Sequence, residues 1–189
     1  RVLVEDSIAD SIVEKIVIKT SHLKCGDPSD PQNDIGTVID EASARLFESR
    51  IKDAVSLGAK KLHGAEREGA LFYPTVVDHV PWDCELVIEE TFGPAIPIIR
   101  FRDIDDAINI ANATNFGLSS GVCSNRLDYI TRFINELNHG TVNIWEVPGY
   151  RIEMSPFGGI KDSGLGYKEG VIEAMKSFTN LKTFSMPWF

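Results

Sequence analysis

Short apolar segments typical of β-strands alternate with amphipathic segments of helical period along most of the chain. Arg1–Val4 and Ala95–Phe101 have the apolar composition of strands, and each precedes a segment with apolar residues at helical spacing. Strands that alternate with helices of about 10–15 residues predict a parallel sheet with helices on both faces. We therefore expect an α/β fold with a doubly wound, mostly parallel sheet.

The predicted strands are distributed along the whole length of the chain. They are Arg1–Val4, Lys61–His63, Leu71–Val77, Ala95–Phe101, Leu118–Ser124, Thr141–Trp145 and Phe178–Met186. The last of these strands would follow the final predicted helix. This order places a helix between most neighbouring strands, which is the arrangement that a parallel sheet requires.

Apolar residues three or four positions apart predict the helices between these strands. Their stripes are Ile8, Ile12 and Ile16; Phe47, Ile51 and Val55; Ile104, Ala107, Ile108 and Ala111; Leu127, Ile130, Ile134 and Leu137; and Val171, Ile172 and Met175. Ser7 and Asp10 have the spacing of a capping box at the first helix. The second helix is predicted from about Asp40 to Leu57, and Asp103 is the predicted cap of the third.

Charge and cysteine content exclude several classes of function. With 19 basic and 28 acidic residues among 189, the formal net charge is −9. A protein that follows a phosphate backbone needs a basic face, so we expect neither nucleic acid nor an anionic membrane as a partner. The three cysteines form no C-x-x-C pair and suit a reducing compartment, so we expect a cytoplasmic protein. The four histidines stand apart, and no metal site is expected.

Two glycine-containing motifs suggest chemistry at first inspection. Gly117–Gly121 matches the G-x-S-x-G nucleophile elbow, with Ser119 as its serine. That elbow needs a strand before it and a helix after it, and here the predicted order is reversed, so a Ser119 hydrolase is the weaker alternative. Gly158–Gly166 is neither a Walker loop nor a G-x-G-x-x-G motif. We interpret it as a tight loop in which backbone passes close to backbone.

The segment Glu89–Pro94 is the most distinctive part of the sequence. Two acids, an aromatic residue and a Gly-Pro turn precede the apolar strand Ala95–Phe101. A carboxylate can accept hydrogen bonds from both hydroxyls of a ribose, and an aromatic ring can pack against a flat heterocycle. A solvated loop with one anchoring phenylalanine explains the same residues, and their spacing alone does not decide between the two interpretations.

These segments together resemble the aldehyde dehydrogenase superfamily. Glu89–Pro94 resembles the family's E-E-x-F-G-P motif, and Asn115–Leu118 resembles its N-x-x-x-Y-G-L motif with Phe116 in place of Tyr. Gly140–Asn143 and Pro156–Gly164 resemble two further family signatures. The matching segments span nearly the whole chain and occur in the family's order.

The resemblance implies roles for individual residues. Glu90 would bind the hydroxyls of the nicotinamide ribose of NAD or NADP, with NAD favoured, and Phe92 would steady the nicotinamide ring. Phe157 would line the aldehyde pocket. Residues 1–177 would belong to the catalytic domain, and residues 178–189 would form a C-terminal oligomerisation strand that joins a neighbouring subunit's sheet in a dimer or tetramer.

The resemblance also implies that parts of the family's catalytic apparatus are not in this sequence. The family's nucleophilic cysteine lies on a loop just before the strand that resembles Arg1–Val4, and its general-base glutamate lies further upstream. Cys25, Cys84 and Cys123 do not match the nucleophile's position. We therefore expect a catalytic-domain piece of a longer enzyme, without its dinucleotide-binding domain. Such an enzyme forms a cysteine thioester and hydrolyses it to the acid, and the piece alone would be inactive.

Within the family, the segment Asn143–Glu153 most resembles phosphonoacetaldehyde dehydrogenases. Arg151 stands six residues before Phe157, and its guanidinium could form a bidentate pair with a phosphonate or carboxylate on the substrate. An ion pair with Glu146 or Glu153 is the structural alternative for Arg151. Another semialdehyde dehydrogenase, or a non-catalytic module that serves only subunit assembly, remain alternatives for the whole chain.

Overall fold

The alternation of strands and helices folds into two units, which a computed structural model describes over residues 1–188. The first unit covers Arg1–Ile110 and the second begins at Ala111. The elements of the first are β1 (Val2–Glu5), α1 (Asp6–Ser21), α2 (Glu41–Ser56), β2 (Lys60–His63), β3 (Arg67–Glu68), β4 (Leu71–Phe72), β5 (Thr75–Asp78), α3 (Glu85–Ile88), β6 (Ala95–Phe101) and α4 (Ile104–Asn112), whose last two residues fall in the second unit. Those of the second are β7 (Phe116–Gly117), β8 (Ser119–Val122), α5 (Leu127–Glu136), β9 (Thr141–Ile144), β10 (Ile160–Lys161) and α6 (Val171–Ser177).

A four-stranded sheet forms the centre of the first unit, in the order β1-β6-β5-β2. β6 is parallel to both neighbours, with Val2 opposite Ile98 and Thr75 opposite Ala95, while β2 runs antiparallel to β5 at the edge. This mixed α/β architecture with a mostly parallel sheet confirms the predicted fold class. The predicted strand Ala95–Phe101 is β6, with the predicted ends.

The two faces of this sheet are buried by different helices. Side chains alternate between the two faces along a strand. Val76 and Ile98 pack with Ala9 and Val13 of α1, while the next residues along these strands, on the other face, pack with α2. The cluster on the α2 side contains Ala44, Phe47, Ile51, Ala54, Phe72, Val77 and Ile99, among others. Helices therefore cover both faces, as the strand–helix alternation predicts.

Helix α1 begins earlier than the capping pattern predicts. β1 ends at Glu5 and α1 starts at Asp6, so Glu5 is the N-cap and Ser7 lies inside the helix, where its hydroxyl donates to the Glu5 carboxylate at 2.9 Å. The predicted capping box is therefore wrong. The buried residues of α1 are Ala9, Val13 and Thr20. Of the predicted stripe, Ile12 and Ile16 are partly buried and pack against this core, whereas Ile8 is 54% exposed.

The predicted cap of α4 is confirmed, and α2 begins next to the predicted start, with Asp40 as its cap. The Asp40 carboxylate accepts from the Ser43 amide at 2.7 Å, and the Asp103 carboxylate accepts from the Asp106 amide at 2.9 Å. In α2 the stripe continues through Ala54 rather than the exposed Val55.

The strand predicted over Leu71–Val77 is divided. Pro74 has no amide hydrogen to donate, and the chain leaves one ladder before it and joins another after it. β4 pairs with β3, and β5 pairs with β2 and β6. One predicted strand therefore becomes two elements with different partners.

The second unit is built from two short ladders. β8 and β9 are parallel, and β7 and β10 are antiparallel. Neither α5 nor α6 contains a buried residue. No helix formed by residues 1–188 has both the length and the apolar character needed to cross a bilayer.

The strand predicted at Phe178–Met186 is not formed in this single chain. Within the described residues, no helix or strand follows Ser177. Phe178, Leu181 and Phe184 are each more than 85% exposed. A strand needs a partner to complete its ladder, so pairing of this segment with a second chain stays a prediction. Phe189, the last residue of the predicted strand domain, lies outside the described residues.

Candidate functional site

The loop Glu89–Pro94 connects α3 to β6 at the start of the central strand. Its carbonyl at Pro94 accepts from the Thr75 amide at 2.8 Å, which joins the end of the loop to β5. Glu90 is exposed, and within residues 1–188 its carboxylate makes no hydrogen bond or ion pair. The Phe92 side chain is 77% exposed. The loop thus offers a free carboxylate and a free aromatic ring two residues apart.

Arg50, a residue of α2, forms hydrogen bonds with this loop. Its Nη1 donates to the Glu90 carbonyl oxygen at 2.8 Å and to the Thr91 hydroxyl at 3.1 Å, while its Nε donates to the Glu85 carboxylate at 3.1 Å. The Arg50 side chain is only 8% exposed. The sequence analysis did not identify Arg50. The available signal was a charged residue on the buried face of a helix, one turn after Phe47.

The second unit arranges its predicted residues on a long irregular segment after β9. The Asn143 amide nitrogen donates to the carbonyl oxygens of Val147 and Tyr150, at 3.1 and 3.2 Å. The Ser119 hydroxyl donates to the Pro148 carbonyl at 2.5 Å. These contacts fold residues 145–150 back on the β8–β9 ladder and fix the position from which Arg151 extends.

Arg151, Phe157 and Glu169 form one cluster. The Arg151 guanidinium carbon lies 5.2 Å from the centre of the Phe157 ring, within cation–π range. Its Nη1 forms an ion pair with the Glu169 carboxylate. The Phe157 and Glu169 backbones bond each other in both directions, with N–O distances of 3.2 and 3.1 Å. The structure thus places Arg151 with Phe157.

The ion-pair partner of Arg151 differs from the ones that the sequence suggested. Glu146 accepts from the Val147 amide next to it, and the Glu153 carbonyl accepts from the Val171 amide. The observed partner, Glu169, lies 18 residues after Arg151. Both side chains of the pair are about half exposed, so donors of the guanidinium remain open to solvent.

None of the three cysteines has the surroundings of an activated thiolate. Burial raises the pKa of the Cys84 thiol, and burial together with the nearby Asp34 carboxylate raises the pKa of the Cys25 thiol. Cys123 is exposed. Among the described residues, no three His, Cys, Asp or Glu side chains gather where a metal ion could bind.

The remaining sequence motifs have structural roles. Ser119 is the first residue of β8, not the apex of a strand-to-helix turn, and its hydroxyl donates to the Pro148 carbonyl, so the elbow interpretation is not supported. In the glycine-rich loop, the Gly166 amide donates to the Gly159 carbonyl at 3.0 Å. A Cβ on Gly140 would lie inside van der Waals contact of the Gly158 carbonyl oxygen. The loop is a site of close backbone packing, as predicted.

An open depression in the second unit does not contain the predicted residues. It has a volume of about 610 Å³ and is lined by Gly140, Thr141, Val142, Pro156, Tyr167 and Glu173. Glu90 and Phe92 lie in the first unit, and Arg151 and Phe157 lie in the second. The structure therefore presents two local pairs of predicted side chains.

Comparison with known proteins places the chain in a family. The sequence model for the aldehyde dehydrogenase family matches residues 1–184. Lactaldehyde dehydrogenase of Methanococcus aeolicus is 39% identical over 97% of this chain and 39% of its own length. Sulfoacetaldehyde dehydrogenase of Neptuniibacter caesariensis is 34% identical over 97% of this chain and 40% of its own length.

Solved structures give the same result. The crystal structure of the glyceraldehyde-3-phosphate dehydrogenase GapN from Methanocaldococcus jannaschii, complexed with NADP, shares 40% sequence identity with a TM-score of 0.89. It is matched over 95% of this chain and 39% of that structure's chain. Other similar structures were determined with NADP or with NAD+. The chain thus spans about two fifths of the length of these relatives.

Proposed function

The chain belongs to the aldehyde dehydrogenase family, and from this membership we propose that the protein containing it oxidises an aldehyde to its acid with NAD or NADP. The observation that carries the proposal is the loop Glu89–Pro94, which presents an unpaired carboxylate and an exposed ring on a rigid base. An unpaired carboxylate can accept from both hydroxyls of a ribose. An exposed aromatic ring can pack against the nicotinamide.

The residues of this loop fit a nicotinamide cofactor. When bound, the cofactor supplies the hydride acceptor, and this chain supplies the groups that hold and orient it. Glu90 would fix the ribose, and Phe92 would limit the positions open to the nicotinamide ring. A misplaced nicotinamide ring would slow the reaction, because hydride transfer needs reacting atoms that are close together and aligned.

The proposal assigns the nucleophile to a cysteine outside this chain. A thiol is activated by a lowered pKa or an adjacent base, and the raised pKa of Cys25 and of Cys84 opposes that role. We expect NADH or NADPH formation by the complete protein and none by residues 1–189 alone. Activity of the short chain would place the nucleophile among its own three cysteines and would overturn this assignment.

Glu90→Gln tests the cofactor contact in the complete protein. Glutamine keeps the size of the side chain but removes one acceptor and the charge, so we expect weaker binding of the ribose and slower hydride transfer. The measurement is the steady-state rate and the deuterium isotope effect with a deuterated aldehyde. An unchanged rate and an unchanged isotope effect would show that Glu90 does not position the cofactor.

We further propose that the substrate is an anionic aldehyde, such as phosphonoacetaldehyde. Arg151 supports this because its guanidinium lies beside the Phe157 ring and is about half exposed, which leaves donors for a phosphonate, sulfonate or carboxylate. A relative that shares 34% identity is a sulfoacetaldehyde dehydrogenase, and its name also specifies an anionic aldehyde. Arg151→Ala should raise KM for phosphonoacetaldehyde about tenfold or more and leave KM for propanal unchanged. Equal effects on both substrates would exclude the anionic class.

Subunit assembly is the second proposed property. Phe178, Leu181 and Phe184 are exposed in the single chain, and such apolar side chains favour contact with a partner. We propose that residues 178–189 join a neighbouring subunit in a dimer or tetramer. Deletion of these residues from the complete protein should lower its mass in sedimentation analysis, and an unchanged mass would exclude this contact.

A further inference from the structure

A single buried guanidinium connects three elements around the Glu90 loop. Arg50 extends from α2, contacts Glu85 on α3, and donates to the Glu90 carbonyl and the Thr91 hydroxyl in the loop. The loop residues have no ladder of their own, so these two bonds replace the regular contacts of a helix or strand. The peptide that carries the Glu90 side chain is therefore fixed by a side chain 40 positions earlier in the sequence.

Burial of the Arg50 side chain restricts the positions that the loop can take. The Arg50 side chain is 8% exposed, and a guanidinium removed from water needs a counter-charge and partners for its N–H groups. Glu85 supplies the counter-charge at 3.1 Å, and the loop supplies the two oxygen acceptors. A loop that moved away would leave buried donors unsatisfied, which strongly favours one loop position.

Phe47 supports the loop from the same helix. It lies one turn before Arg50, and a Cβ added at Gly93 would fall inside van der Waals contact of its ring. Glycine at this position allows the backbone to lie directly on the ring. Phe47 and Arg50 thus hold opposite ends of the segment from Glu90 to Gly93, while the Glu90 and Phe92 side chains stay exposed.

We propose that Arg50 is a positioning residue that sets the affinity for NAD or NADP by holding the Glu90 peptide, without touching the cofactor itself. The inference rests on the proposed function, in which Glu90 binds the nicotinamide ribose. Lysine cannot take over this role, because its single nitrogen cannot replace the fork by which Arg50 reaches the Glu85 carboxylate and the loop oxygens together.

The test compares variants of the complete protein that contains this chain, each titrated with NAD+ and with NADP+ by isothermal calorimetry. Arg50→Lys disturbs both the ion pair and the loop contacts, and Thr91→Val removes one loop contact alone. Glu85→Gln weakens the ion pair but leaves both Nη1 bonds. We expect Arg50→Lys to weaken cofactor binding roughly tenfold, Thr91→Val by less, and Glu85→Gln by the least.

Hydrogen exchange of the peptide covering residues 89–95 gives a second readout. Arg50→Lys and Thr91→Val should both speed exchange there, and Glu85→Gln should not. Cofactor affinity within about twofold of wild type for Arg50→Lys, with Glu90→Gln weakened, would overturn the role of Arg50 and leave the proposed function intact. Equal losses for Glu85→Gln and Arg50→Lys would also overturn it, since the ion pair alone would then explain the effect.

Two further outcomes are decisive. A wild-type protein that binds neither NAD+ nor NADP+ would overturn the proposed function and this inference together. If Arg50→Lys does not fold, Thr91→Val carries the test, because it leaves the Arg50–Glu85 ion pair in place. Unchanged affinity and unchanged exchange in Thr91→Val would then refute control of the loop by Arg50.

Discussion

The two units hold their proposed functional residues by different means. Every buried apolar side chain of residues 1–188 except Leu137 lies in the first unit, where the Glu90 loop rests on Arg50 and Phe47. In the second unit, Arg151 is held by a half-exposed ion pair and by a cation–π contact with one aromatic ring. A buried support fixes one geometry, whereas a solvated ion pair exchanges partners at little cost.

This difference suits the two proposed tasks. A ribose and nicotinamide have one shape for every substrate, so a rigid loop serves them in all turnovers. Aldehyde substrates differ in their charged groups, and a solvated arginine can exchange its glutamate for an incoming anion. We therefore expect substitutions in the first unit to act mainly on stability and cofactor binding. Substitutions near Arg151 should act mainly on the choice of substrate.

Phe72→Ala should have the largest effect on stability. Phe72 is fully buried and packs edge-on against Phe47, with ring centres 6.1 Å apart. We expect a loss of about 3–5 kcal/mol in the free energy of unfolding, measured by urea denaturation, because the change removes apolar contacts and leaves a cavity. Leu165→Ala, at an exposed position of the second unit outside residues 178–189, is the control and should change stability by less than about 0.5 kcal/mol. Similar losses in both variants would contradict the contrast between the units.

Asp78→Asn should reduce the stability of the first unit and change its response to acid. Burial alone would raise the pKa of Asp78, but bonds from Arg100 and from the His79 amide outweigh burial and leave the pKa below its ordinary value. A carboxyl with a lowered pKa stabilises the fold above its unfolded pKa of about 4, and this contribution is lost as the pH falls through the folded value.

The measurement for Asp78 is the free energy of unfolding from neutral pH downward. Asp78→Asn should be less stable at neutral pH and should lose less on acidification than the wild type. Asp128→Asn is the control from the second unit, since Asp128 also pairs with an arginine, Arg126, but is exposed. An acid response that is equal in the wild type and Asp78→Asn would show that the Arg100 pair contributes nothing to it.

Glu169→Gln should change KM for an anionic aldehyde and leave KM for a neutral one unchanged. Removal of the carboxylate frees the Arg151 guanidinium, so we expect KM for phosphonoacetaldehyde to fall about two- to fivefold, in line with the strength of an exposed ion pair. KM for propanal should stay the same. Glu173→Gln makes the same charge change at a glutamate that pairs with Lys176 instead, and it should leave both KM values unchanged. A fall for both substrates in Glu169→Gln would argue against competition at Arg151.

Leu127→Ala should have the smallest effect. Leu127 is 75% exposed at the start of α5, and its truncation should change the free energy of unfolding by less than about 0.5 kcal/mol. Leu137, just after the same helix, is 8% exposed, and its truncation should cost about 2 kcal/mol or more. Equal costs would show that α5 is buried in solution against a surface that the single chain does not contain.

Local chemistry made much of the fold predictable. Asp103 was identifiable as a cap because the cap is decided by residues within one turn. The ends of β6 followed from its apolar run. The first helix was misjudged because Ser7 and Asp10 also have the spacing of a cap, and only the position at which β1 ends excludes it.

The site was predictable only in part, for a related reason. Glu90 and Phe92 are found by a short motif, and Arg151 by its charge near Phe157. The partners Arg50 and Glu169 lie 40 and 18 positions away in sequence, so only the folded chain brings them to the site. A motif therefore identifies the residues that we propose to contact a ligand, and the fold identifies the residues that hold them.

The glycines of the second unit determine which sequence changes it can tolerate. At Gly140 and Gly158, a Cβ would lie inside van der Waals contact of a backbone carbonyl oxygen, so every other amino acid is too large. Loss of volume, the usual way in which a protein core is damaged, is impossible at a residue that has no side chain. A complete substitution scan should therefore find no acceptable replacement at these two positions, whereas positions such as Leu127 should accept most residues.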